Sequence, residues 1–200
     1  ASGSIGGAVF APSVVRAQAA WPTKPVKFIC PFAPGGGTDT VSRLMCDQLS
    51  KILGQTFVVE NKGGAAGVLG ALALQDAKPD GYTICQMHMG MLRQPLLNPQ
   101  LKYDPIKDLT YILQITGFVM GVVVRTEAPW KTLPELLAYA KANPGKLNWG
   151  TLGAGSTQHL AMERLGLAQG LSWTHAPYRG TADTLRALLG GEIDFASEAS

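Results

Sequence analysis

The sequence predicts an α/β protein built on mostly parallel sheets. Short apolar runs bounded by glycine or proline alternate with longer segments whose apolar residues recur at helical spacing, and this is the pattern of β-α-β units. There are 24 glycines and 13 prolines among 200 residues, which suits many tight strand-to-helix turns better than a helical bundle. With 46% hydrophobic and 16% charged residues, the composition excludes a disordered chain and a coiled coil.

The first half of the chain predicts a β-α-β-α-β series. Thr38 or Asp39 is suited to cap a first helix, and Gly54 is suited to end it. Apolar runs predict strands at 26–30, 57–59 and 82–87, and helical periodicity predicts a second helix at 69–77. This alternation favours a parallel sheet with right-handed crossovers.

The second half predicts another α/β unit. Thr132 and Glu135 have the spacing of a capping box, and Ser156 or Thr157 can cap a later helix that runs to Leu167. The predicted strands are 108–114, 121–125, 147–150, 173–176 and one that begins at 193, with a last helix at 181–189. A boundary near 115–122 therefore divides the chain into a first domain at 21–117 and a second at 118–200.

Residues 1–20 differ from the rest of the chain. A stretch of small and apolar residues ends in Arg16, and Ala17 and Ala19 follow. This fits the small-residue cleavage site of a secretory signal, and a flexible alanine-rich and glycine-rich tail is the alternative. The signal interpretation predicts a protein outside the cytoplasm. The apolar run is shorter than the ~20 residues that span a bilayer.

Charge and cysteine content limit the partners. Seventeen basic and fourteen acidic residues give a net charge of +3, and the basic residues are scattered, so no nucleic-acid partner is predicted. Cys30, Cys46 and Cys85 match no zinc spacing. They are interpreted as buried thiols, with a Cys30–Cys85 bridge as the alternative. No metal and no cofactor are expected.

Two glycine-rich segments, 34–39 and 151–157, each follow a predicted strand and precede a predicted helix. Glycine lets the backbone approach a ligand closely, and the amino end of a helix offers free N–H groups and positive dipole charge. Such turns bind anions, and the spacing excludes both a P-loop and a dinucleotide fingerprint. Two loops in matching positions predict one anion gripped across a cleft. In the alternative, both are only tight turns.

The segment after the third predicted strand is expected to determine which ligand binds. Met87, Met89 and Met91 offer an adaptable apolar wall beside Gly90, and the planar guanidinium of Arg93 suits a second carboxylate. The set favours a ligand with an apolar or aromatic middle and an acid at each end. The alternatives are core methionines and a solvated arginine.

Other polar residues have competing interpretations. Ser156 and His159 suggest a periplasmic hydrolase or transferase, but the sequence lacks a nucleophile elbow and a clear third member. Asp39 is most simply a helix cap. Tyr178 and Glu198 lie at strand ends of the second unit and are predicted to floor the pocket.

The chain resembles the Bug (TctC-like) solute receptors of tripartite tricarboxylate transporters. The resemblance runs without a break from Trp21 to about Glu198. Its segments, in order, are WPTKPV at 21–26, PFAPGGGTD at 31–39, VVENKGGA at 58–65, KPDGYT at 78–83, YDPIKD at 103–108, PGKLN at 144–148, APYRG at 176–180 and LLGGEID at 188–194. Each segment alone is common, but the ordered series is specific.

The resemblance implies a two-domain periplasmic-binding-protein (Venus-flytrap) fold that closes on a small carboxylate. It implies a binding protein rather than an enzyme, located in the periplasm and partnered by the membrane permease subunits of a transporter. A ligand-sensing domain for a membrane sensor is the alternative role. Family members continue for about another hundred residues, so the carboxy-terminal part of the fold, and with it part of the first domain, is expected to be missing.

The ligand-binding residues are expected on both loops. Those that the resemblance implies are Phe32, Gly36, Gly37, Thr38, Asp39, Thr151, Gly153, Gly155, Ser156, Thr157 and His159. Those that the local pattern adds are Met89, Gly90, Arg93, Tyr178 and Glu198.

Overall fold

The fold is described from a computed structural model that covers residues 21–115, 117 and 119–199. The predicted signal at 1–20 lies outside the described residues. In the described part of the chain, no helix combines the length and the hydropathy needed to cross a bilayer. Strands and helices alternate as expected, and they form two separate sheets.

The first sheet has three parallel strands in the order β2-β1-β3. The strands are β1 (Val26–Cys30), β2 (Phe57–Asn61) and β3 (Thr83–Cys85), and the helices are α1 (Gly37–Leu53), α2 (Val68–Gln75) and α3 (Met89–Leu97). A short 3₁₀ turn, Ala65–Gly67, precedes α2. One core packs α1 on the sheet around Phe28 and Phe57, and another joins α2 and α3 around Met91.

The second sheet has four strands in the order β4-β7-β5-β6. Its strands are β4 (Met120–Val124), β5 (Asn148–Thr151), β6 (Thr174–Pro177) and β7 (Phe195–Ala199), and its helices are α4 (Leu133–Ala142), α5 (Thr157–Gln169) and α6 (Thr181–Gly190). Strand β4 is antiparallel to β7, and the other pairs are parallel. Trp149 and Phe195 are fully buried at the centre of the main core. The predicted α/β class with mostly parallel sheets is therefore correct.

One predicted strand was wrong, and one helix was not predicted. Residues 108–114 form no strand, and Ile112 and Leu113 are largely exposed, so an apolar run without a partner strand stays irregular. The helix α3 was not predicted, because Pro95 lies inside it. Proline lacks the N–H that would bond the carbonyl of Met91, and the hydroxyl of Tyr103 donates to that carbonyl instead.

Of the predicted helix caps, the cap of α5 is confirmed and the cap of α1 is wrong. Ser156 caps α5, since its hydroxyl accepts the N–H of His159 at 3.2 Å. Thr38 and Asp39 do not cap α1, because the N-cap is Gly36, two residues before Thr38. The Asp39 carboxylate reaches back and accepts the N–H of Gly35 at 2.9 Å, so it fixes the loop from inside the helix.

Candidate functional site

Loops at the carboxyl ends of both sheets meet and form one cluster. We call the region where they meet the interloop cleft. It is bounded by the first-half segments 31–37, 62–67 and 86–90, and by the second-half segments 152–157 and 178–181. The N–H of Ala33 donates to the Arg179 carbonyl at 3.4 Å, and the Gln94 side-chain amide donates to the Ala154 carbonyl at 2.6 Å. The two halves are therefore in direct contact at this edge.

The first glycine loop presents the amino end of α1. Gly36 is the N-cap with extended backbone, and Gly37 is exposed with open space where a Cβ would stand. Gly37 and Thr38 are the first two residues of the helix, so their N–H groups have no acceptor within it. These groups and the helix dipole can hold an anion.

Asp39 supports this loop from below. Its buried carboxylate accepts Gly35 N–H, the Arg43 guanidinium at 3.0 Å and the Asn61 amide at 2.8 Å. Burial opposes ionisation, but the hydrogen bonds from Arg43, Gly35 and Asn61 outweigh it and lower the pKa of Asp39. The carboxylate is satisfied within the first half of the chain, and its charge is neutralised by Arg43.

The second glycine loop presents the amino end of α5 between Ser156 and Thr157. Gly153 has φ +137° and Gly155 has φ +77°, a region that favours glycine. The buried hydroxyl of Thr151 accepts Gly153 N–H at 3.2 Å. This loop is therefore held open by backbone conformations that other residues rarely adopt.

Two histidines brace the second loop. The Nδ1 atom of His159 accepts Gly155 N–H at 3.2 Å, and the Thr151 hydroxyl pairs with Nε2 of His175 at 2.7 Å. The two imidazole rings lie 4.2 Å apart, and Trp149 packs on His175 at 4.5 Å. Burial, and then the neighbouring His159, lower the pKa of His175 to about 4, so His175 is neutral at pH 7.

The geometry of the second glycine loop also bears on the interpretation of Ser156 and His159 as the catalytic pair of a hydrolase. Ser156 is fully buried, and its hydroxyl accepts the backbone N–H of His159 rather than meeting the imidazole. The Nε2 atom of His159 lies 3.9 Å from the Glu163 carboxylate. A general base must reach the proton that it removes, and here neither ring nitrogen is hydrogen-bonded to the Ser156 hydroxyl.

Arg93 crosses from α3 to the amino end of α5. Its Nη2 atom donates to the Thr157 hydroxyl at 2.7 Å. Its Nη1 atom is buried and has no hydrogen-bond partner within the described residues. A guanidinium beside the positive end of a helix is unfavourable alone, and an anion between them removes the conflict. Met89 is half-exposed nearby, and Gly90 packs against the Ala66 carbonyl.

A third glycine-rich loop, 63–67, was missed as a site by sequence reasoning. A Cβ on Gly63 would lie 2.8 Å from the nitrogen of Ala33, and one on Gly153 would lie 2.9 Å from the nitrogen of Ala66. Ala65 and Ala66 have φ +47° and +53°, which costs about 1–2 kcal/mol per residue. Such strain concentrates at functional sites. The signal was present in the sequence as Gly-Gly-Ala-Ala-Gly.

The remaining predicted residues surround these loops. Phe32 is buried with its ring edge-on to His88 at 5.1 Å. Burial, and then the charge of Arg93, lower the pKa of His88 to about 4. Tyr178 packs over Gly150 inside the second half. Glu198 is buried at the end of β7, beside Thr181.

The sequence predicted buried thiols and no metal site. Cys30, Cys46 and Cys85 are free thiols, and Cys30 and Cys46 are buried. Across the described ranges, no group of three or more His, Cys, Asp or Glu side chains is arranged to hold a metal ion.

The two sheets and their apposed helix amino ends define a periplasmic-binding-protein fold. A solved structure of the periplasmic binding protein BugD superposes with a TM-score of 0.81 at 36% identity, over 90% of this chain and 60% of that one. An adipate-bound protein of R. palustris, Rpa4515, superposes with a TM-score of 0.85 at 32% identity, over 90% and 60%. A UPF0065 protein in the gbd 5′ region of Cupriavidus necator is 45% identical over 173 residues, which are 86% of this chain and 53% of that protein.

The family follows from a direct match. The profile described as "Tripartite tricarboxylate transporter family receptor" (TctC) matches residues 41–199, and the chain belongs to this family. The resemblance to Bug receptors is thereby confirmed. The chain spans about half the length of the curated relatives it matches.

Proposed function

We propose that the chain is part of an extracytoplasmic receptor that captures a small organic carboxylate for a tripartite tricarboxylate transporter. Two observations carry the proposal. Arg93, whose buried Nη1 has no hydrogen-bond partner within the described residues, donates to Thr157 at the amino end of α5, and Gly36 at the amino end of α1 packs against Thr181 at the amino end of α6. Arg93 and the amino ends of α1 and α5 all lie at the edge where the two halves meet, and each of them favours an anion. Family membership and the adipate in a related structure support the same ligand class.

Binding occurs by closure without chemistry. We infer two domains, 21–117 and 118–200, each of which supplies one glycine loop. Backbone N–H groups at Gly37 and Thr38 hold the carboxylate from one side, and those at the amino end of α5 hold it from the other. Closure of two domains around a ligand is a common device of binding proteins. The contacts of Arg93 with Thr157 and of Gln94 with Ala154 are then closed-state contacts.

The ligand class includes a dicarboxylate with an apolar or aromatic middle. One carboxylate lies between the glycine loops, and the second pairs with Arg93, whose planar fork matches its geometry. Met89, half-exposed in the same segment, contacts the apolar middle. Adipate, which is bound by the relative of R. palustris, is a dicarboxylate with an apolar middle.

The location and the partners follow from the same role. The receptor acts in the periplasm, and residues 1–20 contain the remnant of the signal that directs it there. The loaded, closed form docks on the membrane permease subunits of the transporter. In the alternative role, a ligand-sensing domain would bind the carboxylate and close in the same way but would dock on a membrane sensor instead of the permease.

The function is tested by identifying the small molecule that copurifies with the protein. Denaturing the purified protein and analysing the released compounds by mass spectrometry is expected to yield an organic acid in stoichiometric amount. The variant Gly153→Val, in which the second glycine loop cannot approach Ala66 of the 63–67 loop, serves as the matched control and is expected to release none. A released compound without a carboxylate contradicts the proposal.

A further inference from the structure

His159 holds the second glycine loop through one ring nitrogen. Its Nδ1 atom accepts the N–H of Gly155 at 3.2 Å, and Gly155 is buried with φ +77°. The backbone N–H of His159 is itself held by the Ser156 hydroxyl at 3.2 Å, so the ring reaches back to the loop from a fixed helix cap. A buried N–H that loses its acceptor is costly, and the shape of the loop therefore depends on this contact.

The same hydrogen bond determines which atom of His159 can take up a proton. A ring nitrogen that accepts carries no hydrogen, so the hydrogen of the neutral imidazole is on Nε2. The Nε2 atom lies 3.9 Å from the Glu163 carboxylate, where a donor is favourable. A further proton can therefore enter only at Nδ1, and it turns the acceptor of Gly155 N–H into a second donor that faces it.

Charged and titratable groups face His159 from three elements. On its own helix, Glu163 lies beside Nε2. From β6, the ring of His175 lies 4.2 Å away. From α3, Arg93 donates to the first residue of α5, and β5 presents the uncharged ring of Trp149, stacked at 6.0 Å. The carboxylate is the member of this set that favours a protonated His159.

The second ring of the pair stays neutral while His159 takes up its proton. Burial, and then the neighbouring His159, lower the pKa of His175 to about 4, and its Nε2 atom pairs with the Thr151 hydroxyl at 2.7 Å. Two protonated rings at this separation repel each other. The pair therefore holds one proton in mildly acidic solution, and that proton is on His159, whose side chain is 21% exposed and faces the carboxylate.

We propose that His159 is a positioning residue whose protonation at Nδ1 releases Gly155, loosens the second glycine loop and weakens binding of the carboxylate. The inference rests on the proposed function and adds a pH dependence to it. The charge of the added proton is balanced by Glu163, whereas the lost hydrogen bond to Gly155 is not replaced. The loss of geometry therefore outweighs the attraction of a cation for the ligand, and the receptor binds at neutral pH and releases in mild acid.

Calorimetric titration with adipate, the acid bound by the relative of R. palustris, measures the effect at pH 7.5 and pH 5.5. His159→Asn keeps an acceptor near the position of Nδ1 but takes up no proton, and the titration of adipate itself is common to both proteins. The fall in affinity on acidification is expected to be about tenfold greater in the unmodified protein than in His159→Asn.

Proton release gives a second measurement of the same linkage. A ligand that binds the unprotonated form expels the proton, by the reciprocity of binding free energies. Titrations at pH 6.5 in two buffers of different ionisation enthalpy are therefore expected to show more proton release in the unmodified protein than in His159→Asn. Net proton uptake relative to His159→Asn would mean that the charge of His159 attracts the ligand, which overturns the proposal.

Two further variants separate the acceptor from the charge. His159→Leu removes the acceptor and is expected to bind adipate more weakly than His159→Asn at both pH values. Glu163→Gln removes the balancing carboxylate and is expected to move the fall in affinity to lower pH. The matched control is Glu127→Gln at an exposed position, in which the fall is expected to stay where it is in the unmodified protein.

Nitrogen NMR of the histidine rings tests the role of His159 without a ligand. Its Nδ1 atom is expected to carry no proton at pH 7.5 and to gain one on acidification, with the Gly155 amide resonance shifting at the same midpoint. A proton on Nδ1 at pH 7.5, or a pH dependence of affinity that persists in full in His159→Asn, overturns the role of His159 and leaves the receptor intact. An absence of binding by adipate and by shorter and longer diacids at both pH values contradicts the receptor instead, and the NMR titration then decides the role of His159 alone.

Discussion

Arg93 on α3 donates a 2.7 Å hydrogen bond to the hydroxyl of Thr157, the first residue of α5. This contact joins the half of the chain that carries the first sheet to the half that carries the second. It also places a guanidinium at the positive end of a helix, with Nη1 buried and unpartnered in the described residues. In the proposed receptor an anion between the two groups stabilises this arrangement, so closure of the cleft depends on ligand binding.

Replacement of Arg93 by methionine tests this relationship. A charge-assisted hydrogen bond contributes about 1.5–3 kcal/mol, so Arg93→Met is expected to weaken a dicarboxylate roughly 10- to 100-fold. A monocarboxylate of equal length is expected to lose far less, because it has no second acid. Calorimetry on both ligands measures the difference. Arg164→Met, at an exposed position, is the control for the loss of one positive charge. Equal losses of affinity for both ligands in Arg93→Met would show that Arg93 does not pair with a second carboxylate and contributes only general positive potential.

A substitution at Gly153 tests the close approach of the second glycine loop to the 63–67 loop. A Cβ at this position would lie 2.9 Å from the nitrogen of Ala66, and φ is +137°. Gly153→Val is therefore expected to reduce affinity at least tenfold, about 1.4 kcal/mol, and its strained backbone also lowers the melting temperature of the ligand-free protein. Calorimetry and thermal unfolding separate the two effects.

The control for Gly153 is Gly190→Ala, at the end of α6, where a Cβ meets open space. Affinity is expected to stay unchanged in this control. An unaltered affinity in Gly153→Val would show that the second loop does not approach the ligand.

His175 makes the stability of the second half depend on pH. Its pKa is about 4 in the folded protein and about 6.5 in an unfolded chain. Below pH 6.5 the unfolded state binds a proton that the folded state refuses, so stability falls as pH drops from about 6.5 toward 4. The full loss attributable to His175 is at most about 3 kcal/mol.

Urea unfolding between pH 7 and pH 4.5 measures this slope. His175→Gln is expected to flatten it. The partly buried His88, whose pKa is also about 4, contributes a similar slope that remains in this variant. If the slope were the same before and after the substitution, the low pKa of His175 would be wrong.

Tyr103 compensates for Pro95 inside α3. Its hydroxyl donates to the Met91 carbonyl, which proline at position 95 cannot satisfy. Tyr103→Phe leaves this buried carbonyl unpaired and is expected to destabilise the fold by about 1–3 kcal/mol. Tyr111→Phe, which removes an exposed hydroxyl bonded to the Pro105 carbonyl, is expected to cost much less.

A second substitution, at Pro95, tests whether Tyr103 acts through the Met91 carbonyl. In Pro95→Ala the residue at 95 regains the N–H that the Met91 carbonyl lacks. The double variant Tyr103→Phe with Pro95→Ala is expected to recover most of the lost stability, as measured by denaturant unfolding. If the double variant were as unstable as Tyr103→Phe alone, the hydroxyl would not act through this carbonyl.

The sequence predicted what depends on local pattern. The strands around Phe28 and Trp149 follow from apolar runs, the end of α1 follows from Gly54, and the cap of α5 follows from Ser156. The α/β class and the two glycine loops follow from the same signals.

What the sequence did not predict depends on contacts between distant residues. The helix α3 tolerates Pro95 only because Tyr103 supplies a donor from outside the helix. The third loop is recognisable only when Ala66 is seen against Gly153. The burial of Glu198 depends on the position of β7 between β4 and β5, which no local pattern encodes.

The central claim is that the cleft binds an organic carboxylate, and a calorimetric titration tests it most directly. The purified protein is titrated with carboxylates of three to eight carbons, as plain, hydroxy-substituted and amino-substituted mono- and diacids. The account predicts one binding site with micromolar or tighter affinity for at least one of them, and a loss of at least tenfold in Gly153→Val. No detectable heat for any of these acids, or equal binding by the protein and by Gly153→Val, would contradict it.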